Sequence, residues 1–347
     1  MKKDILSMNI TELEADMEEL GQSKFRATQV FRWLHVDRAE TFEEMTNISK
    51  DFRKVLDEEY EIYTLEIVKR LISKIDGTRK YIFRLKGGSL IESVMMPYDH
   101  GNTICISTQS GCRMGCRFCA STINGLERNL TPAEMLGQFY AIEKDTNEKL
   151  TNAVLMGSGE PFDNFDNVAR FLELISDNNG TKLSKRNVTL STCGLPEGIR
   201  KLAELKYPVT LALSLHAPDD ETRKKLMPIA NKYTIDETLA ACWEFFERTG
   251  RRVSFEYSLV SGVNDSKEHA KKLAELFYGK NCHINLIPVN PVDERDYQQS
   301  TKEAIERFRG ILEKYRINVT IRREMGRDIN GACGQLRNET MKEETIG

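Results

Sequence analysis

The chain has 347 residues, 40% of them hydrophobic and 30% charged, with 50 Lys and Arg against 53 Asp and Glu. That length allows about two domains and a sizeable core, and the composition excludes disordered and fibrous classes. A net charge of −3 excludes polyanion binding by the surface as a whole, though not by a local basic face.

No run approaches the roughly 18 continuous apolar residues of a membrane span. The amino-terminal run passes Glu12, Glu14, Asp16 and Glu18 without an apolar core segment, so no secretory signal and a cytoplasmic location are expected. Eight cysteines in so long a chain read as ligands, reactive thiols or buried fillers rather than a disulfide scaffold.

In chain order, Thr11-Glu12-Leu13-Glu14 has a capping-box pattern opening a helix that ends near Gly21. A second helical pattern at 26–35 buries Val30, Phe31 and Leu34, and carries Arg26 and Arg32 with Arg38 just beyond. A third, around 50–60, is mostly charged. This reads as a small helical unit with a basic side, either a solvated face or an RNA-contacting one. From Tyr63 the period changes: 64–73, 80–85 and 89–96 read as strands separated by Asp76-Gly77 and Gly87-Gly88. Glu92 is a lone acid in that last apolar run, and alternation alone points it to solvent.

Beyond residue 100, strand-like runs at 104–108, 154–156, 188–191, 209–215, 253–259 and 284–289 alternate with helical patterns at 132–145, 167–174, 196–205, 235–246 and 267–277. A helix at 302–315 and a short strand at 318–321 follow, and the polar tail after Arg337 is expected to fray. Such alternation implies a parallel sheet, curled into a partial barrel.

The first of these strands runs into Gln109-Ser110-Gly111, read as a break, and then into Cys112-Arg113-Met114-Gly115-Cys116-Arg117-Phe118-Cys119, with Cys105 upstream. Three thiolates in eight residues can converge on one centre if Gly111 and Gly115 let the loop wrap. A structural zinc site takes four protein ligands and an iron–sulfur cluster normally four cysteines. Three would leave one position open, and three buried apolar thiols are the plain alternative.

Working residues of parallel β/α barrels sit at the strand ends. Here those ends carry Gly159-Glu160-Pro161, Ser191-Thr192, Ser214-Leu215-His216 and Asn290-Pro291. Singly each reads as a turn, a cap or a core histidine; jointly they suggest a ligand across the mouth of the sheet. Walker A, G-x-G-x-x-G and H-E-x-x-H patterns are absent from the sequence. Cys333, in the arginine-rich stretch ending Ala332-Cys333-Gly334-Gln335-Leu336, is either an incidental or an activated thiol.

Together these segments resemble, over nearly the whole chain, the radical S-adenosylmethionine (SAM) RNA methyltransferases of the RlmN and Cfr group. The matching residues are Phe25-Arg26-Ala27 with Gln29-Val30, Ile91-Glu92-Ser93-Val94 and the cysteine run with Cys105. Gly159-Glu160-Pro161, Ser214-Leu215-His216-Ala217-Pro218, Asn290-Pro291 and the Cys333 segment complete them. The Gly-Glu-Pro loop looks most like the RlmN branch, and Ser158 stands where a methionine is common.

The resemblance implies an α/β fold: a partial (β/α)6 TIM-like barrel of the radical SAM type at 101–337, a helical RNA-contacting domain at 1–60, a β linker at 61–100 and a tail at 338–347. It implies methylation of carbon 2 of an adenine in 23S rRNA, and of an adenine in some tRNAs. That carbon is electron-poor, so simple displacement by SAM cannot methylate it and a radical route is needed.

The implied roles follow the matched residues. Cys112, Cys116 and Cys119 would hold a [4Fe–4S] cluster whose fourth iron binds SAM. Gly159, Glu160, Ser191, Ser214, Leu215, His216 and Asn290 would contact SAM. Cys333 would carry the methyl group, Cys105 would resolve the RNA adduct by a disulfide with Cys333, and Glu92, against the solvent reading, would take the ring proton. A flavodoxin or ferredoxin would supply electrons, and a monomer is expected. Cys193, Cys242 and Cys282 are left to core packing. The rival readings are a Cfr-type carbon-8 methyltransferase and, in another class, a non-enzymatic RNA-binding protein whose structural metal needs a fourth protein ligand.

Overall fold

The computed structural model describes residues 2–290, 295–329 and 335–346. Its amino-terminal part runs β1 (Lys3–Asp4), α1 (Ile10–Glu19), α2 (Lys24–His35), α3 (Lys50–Glu59) and β2 (Tyr60–Glu61), with β1 and β2 paired in parallel so that the two ends of this unit meet. The cap of α1 is Asn9 with Glu12, not Thr11 with Glu14. Starting there brings Ile10 into the stripe that Leu13 and Met17 bury against the core, which a start at Thr11 would forfeit.

The chain continues through β3 (Glu66–Ile72), β4 (Arg79–Arg84), β5 (Leu90–Tyr98), β6 (Gly101–Cys105), β7 (Gln109–Gly111), β8 (Leu126–Asn129), α4 (Pro132–Thr146), β9 (Leu150–Leu155), α5 (Phe165–Ile175), β10 (Val188–Thr192), α6 (Pro196–Leu205) and β11 (Thr210–Ser214). It ends with α7 (Asp220–Leu226), α8 (Ile235–Thr249), β12 (Ser254–Leu259), α9 (Lys267–Phe277), β13 (His283–Pro288), α10 (Lys302–Lys314), β14 (Asn318–Ile321) and α11 (Gln335–Ile346). Capping boxes at Thr131 and Thr234, with Glu134 and Glu237 three residues on, start α4 and α8.

Ten strands form one sheet in the order β14-β13-β12-β11-β10-β9-β6-β5-β4-β3. From β6 to β14 every pair is parallel, and β5, β4 and β3 continue antiparallel from β6. The expected β linker is therefore an extension of the barrel sheet rather than a separate piece. A two-residue turn, Asp99-His100, joins β5 to β6, with Tyr98 facing Gly101 in register.

Three further expectations are corrected. Gln109-Ser110-Gly111 does not end a strand: it pairs with β8 as a hairpin that brackets the cysteine loop. These residues are fully buried yet satisfied; Gln109 Nε2 donates to Asn129 and Asp163, and Ser110 Oγ to Glu127. Gly111 lies at φ 76°, and a Cβ there would fall 2.0 Å from the Gly125 carbonyl, so only glycine lets the hairpin close. The tail is not loose at its start, because α11 buries Leu336 against Ile82 and Leu90, with Arg337, Asn338 and Thr340 buried beside it.

The amino-terminal helices pack on α4 and α5. His35 Nδ1 lies 2.9 Å from the Tyr140 hydroxyl, and Ala133 N donates to Ser7 Oγ at 3.0 Å. Arg38, counted above with the basic side, instead turns inward, pairing with Glu143 and lying over the Tyr140 ring.

Candidate active site

Parallel strands put all their carboxyl ends at one end of the sheet, and there the molecule holds a cavity of about 310 Å³. Strands β5, β6 and β9 to β13, and the segment just after β14, all contribute to its wall, so the sheet must curl around it. Ten of the expected site residues line it: Cys105, Cys112, Cys116, Cys119, Gly159, Glu160, Ser191, Ser214, His216 and Asn290. Leu215 and Glu92 do not, and Cys333 lies outside the described residues.

The cysteine loop is tied at both ends. Cys112 N donates to the Gly125 carbonyl at 2.9 Å, Arg117 N to that of Leu226 at 2.9 Å, and Thr122 Oγ1 bonds the carbonyls of Cys116 and Cys119. Gly111 and Gly115 both take positive φ, as the wrapped path requires. Burial pushes the Cys112 thiol up to about 12, and the Cys119 thiol adds to this; Cys116 is pushed well up by burial and by both neighbours. Buried thiols that resist ionisation become thiolates only around a positive centre. Among the described residues no three His, Cys, Asp or Glu side chains are drawn together closely enough to form a ready-made metal site. The three thiols share one rim of the cavity, and this all-sulfur donor set fits an iron–sulfur cluster.

Glu160 is the most firmly held group. Its Oε2 accepts from Cys193 N at 2.7 Å and its Oε1 from Phe162 N at 3.1 Å, while its own N donates to Gln109 Oε1 at 2.8 Å. Burial raises its carboxyl pKa, and the Cys193 and Thr192 bonds oppose that. Gly159 lies at φ 111°, and a Cβ would come within 2.8 Å of Gln109 N, so this loop packs directly on the strand before the cysteines.

His216 has φ 55°, uncommon for a residue with a side chain. Its Nδ1 accepts from Ser258 N at 2.9 Å, leaving Nε2 to carry the proton, and its ring meets Phe118 of the cysteine loop edge-on at 4.9 Å. Burial, with Arg223 nearby, pulls its pKa down to about 3, so the ring is neutral. Leu215 is wholly buried in the core, its N donating to the Glu256 carbonyl; its neighbours, not its side chain, reach the cavity.

Glu92 sits on the same face of β5 as Val94 and Met96, which line the cavity. It is buried rather than solvated: Oε2 pairs with the fully buried Lys80 ammonium at 3.3 Å and accepts from Arg337 N at 3.3 Å, in the first turn of α11. Cys105 packs with Val94 and Met96.

Several residues were not singled out from sequence. Cys193 packs in a small core cluster with Leu226, Met227, Val260 and Val289, as expected, and also lines the cavity; its position two residues after Ser191, on the same face of a strand end, was the available signal. Glu256 is a second lone acid in an apolar strand. It accepts from Asn285 Nδ2 at 2.8 Å, and Thr320 Oγ1 donates to Asn285 Oδ1 at 3.1 Å. With Ser191 and Ser214, whose hydroxyls lie 3.4 Å apart, these side chains make a polar tier beneath the rim. Burial raises the Glu256 carboxyl pKa, and Arg322 opposes it.

The Radical SAM superfamily model matches residues 106–275, and the model of the Ribosomal RNA large subunit methyltransferase N-terminal domain matches residues 3–62. A probable dual-specificity RNA methyltransferase RlmN from Lachnospira eligens is 58% identical over 340 residues, 98% of this chain and 97% of that protein. A protein of the same description from Clostridium novyi is 51% identical over 335 residues, 96% of this chain and 98% of that protein. The crystal structure of a radical SAM methyltransferase from Sphaerobacter thermophilus superposes with a TM-score of 0.92 at 39% identity, covering 96% of this chain and 98% of that one. Radical SAM enzymes use a [4Fe–4S] cluster and SAM, which is the cofactor set that the thiol rim and the strand-end wall suit. With both halves matched and the similarity running nearly end to end, this chain belongs to the RlmN family of radical SAM RNA methyltransferases.

Proposed function

We propose that this enzyme methylates carbon 2 of an adenine in 23S rRNA, and of an adenine in some tRNAs, with two SAM molecules consumed per methyl group delivered. Cys112, Cys116 and Cys119 would hold the cluster. When bound, the cluster and SAM supply a carbon-centred radical strong enough to take hydrogen from a methyl thioether. Glu160, with Gly159, receives the amino group of SAM, and Ser191, Ser214, His216 and Asn290 receive its carboxylate, ribose and adenine, with buried Leu215 holding the turn.

Cys333 first displaces the methyl group from one SAM and carries it as a thioether. After the methylene carbon adds to the ring, the ring radical would return one electron to the cluster and Glu92 takes the ring proton; the Cys105 sulfur then attacks the Cys333 sulfur, forming a disulfide and breaking the carbon–sulfur bond, and a proton passes to the released methylene to leave the methyl on the base. The base must leave its stack to arrive there. Arg26 and Arg32 of the helical unit contact RNA phosphates. A flavodoxin or ferredoxin provides the electron, and the enzyme works as a cytoplasmic monomer.

The observation that carries this reading is Cys105, a thiol outside the three-cysteine loop that lines the same cavity as that loop. The test pairs wild type with Cys105→Ala on unmethylated 23S rRNA. Wild type should give 2-methyladenosine on mass spectrometry of the digested RNA, and the variant should stall with RNA attached covalently through Cys333. Formation of 8-methyladenosine would move the protein to the Cfr-type reading, and normal turnover by Cys105→Ala would remove the resolving role.

A further inference from the structure

Arg223 is the largest fully buried side chain of the described residues, with no exposed surface. It lies on α7, whose last residue, Leu226, accepts the backbone N–H of Arg117 inside the cysteine loop. Its guanidinium donates only to carbonyls: Cys193 at 2.6 Å, Leu215 at 3.2 Å and Ser214 at 3.5 Å. Among the described residues it makes no ion pair, and its Nη1 has no hydrogen-bond partner. The nearest acid on its own helix, Asp220, accepts from Ile235 N at 2.8 Å.

Arginine keeps its proton in proteins, so this is a permanent positive charge in the interior with no carboxylate on it, a costly arrangement. What lies next to it is the wall behind the cysteine loop: the Cys193 carbonyl that its Nη2 holds belongs to a residue packed in one cluster with Cys116 and Phe118. Carbonyl bonding alone needs no charge; an amide would serve. A cation buried here makes electrostatic sense opposite an anion that the chain itself does not provide.

We propose that Arg223 is the counter-charge of the iron–sulfur cluster, a fixed cation behind Cys116 that stabilises the reduced cluster. This rests on the assignment of Cys112, Cys116 and Cys119 as its ligands. Three thiolates outweigh the charge of an oxidised cubane core, and reduction adds one more negative charge, so a nearby cation favours the reduced form. Removing the cation moves the reduction potential downward. Arg223 touches neither SAM nor RNA in this account; it acts through the cluster.

The test is a redox titration of anaerobic holoprotein without SAM, followed by electron paramagnetic resonance, on wild type, Arg223→Gln and Arg223→Lys. Gln keeps donors for the carbonyls without the charge; Lys keeps the charge. The Gln variant should shift to more negative potential by at least a tenfold change in the reduced-to-oxidised ratio, about 59 mV for a one-electron couple, with Lys close to wild type. A Gln variant that holds a full complement of iron at an unchanged potential overturns the proposal.

If Gln cannot retain iron, iron content decides. Lys retaining iron where Gln loses it, at equal thermal midpoints, supports the counter-charge. Equal loss in both assigns Arg223 to holding the strand-end carbonyls and overturns it. Wild type without iron would overturn the ligand assignment underneath, a result separable from either variant outcome.

Discussion

The two sides of the cavity are held by different means. On the parallel side, β9 to β13, each working group is fixed by neighbours at or just beyond the strand ends: Glu160 by the amides of Phe162 and Cys193, His216 by Ser258 N, Ser191 by Ser214. On the antiparallel side, Lys80 pairs with Glu92 between the neighbouring strands β4 and β5, and the distant helix α11 adds the rest: Arg337 donates to the Leu90 carbonyl, Ser110 and Glu127, and Asn338 donates to the Ala120 carbonyl beside the last loop cysteine. The first wall comes with the sheet, while the second is completed only when α11 docks. In the proposed chemistry the first binds SAM and the second serves the steps on RNA.

The contrast predicts that charge deletion on the antiparallel side damages folding. Lys80 and Glu92 are both essentially inaccessible, so Lys80→Met strands a buried carboxylate and should destabilise the protein by about 3–5 kcal/mol, read by chemical denaturation. Adding Glu92→Leu should recover most of that. A single variant as stable as wild type would erase the difference between the walls.

On the parallel side the effect should fall on ligand binding instead. Glu160→Gln keeps one acceptor for the amides that hold it but loses the charge offered to an amino group. SAM affinity of the reconstituted enzyme should drop about 10- to 100-fold, roughly 1.5–3 kcal/mol by isothermal calorimetry, with little change in thermal midpoint. Global unfolding would show that the wall depends on its ligand-binding group after all.

The most gradual effect is on acid stability, spread over several pH units. His216 on the parallel wall and His35 beneath the helical unit are both buried, with pKa values pulled from 6.5 to about 3. The unfolded chain takes up their protons first, so each removes about 1.4 kcal/mol of stability per pH unit as pH falls below about 6.5 toward 3. His216→Asn, which tolerates the positive φ, should remove one histidine's share of that slope in denaturation curves collected between pH 4 and 7.

What could be read in advance follows the same division. The barrel strands and their helices were legible because buried parallel strands are plain apolar runs and their helices carry capping boxes. The strand-end site was legible as a pattern, and the family resemblance assigned its members. Gln109-Ser110-Gly111 was misread because polar residues look like a break until their partners, Asn129, Asp163 and Glu127, are known. Helix α7 was missed because its seven residues are mostly charged, and Arg223 was not singled out with it. Glu92 looked solvent-facing by alternation, since nothing local announces that α11, more than 200 residues on, covers that face.

The turn between β5 and β6 has only two residues, Asp99 and His100, and the His100 ring stacks on Tyr98 at 5.1 Å. It leaves no slack, so it sets the phase between the strand that carries Glu92 and the strand that carries Cys105. A slip of one position would turn Glu92, Val94 and Met96 to the opposite face while leaving Cys105 in the cavity. The proposed proton acceptor and the proposed resolving thiol would then lie on opposite sides of the sheet, with every side chain of the protein still present. The sequence of events proposed on the RNA base thus depends on a count of residues in one short turn, and insertions tolerated in other surface loops would be expected to fail there.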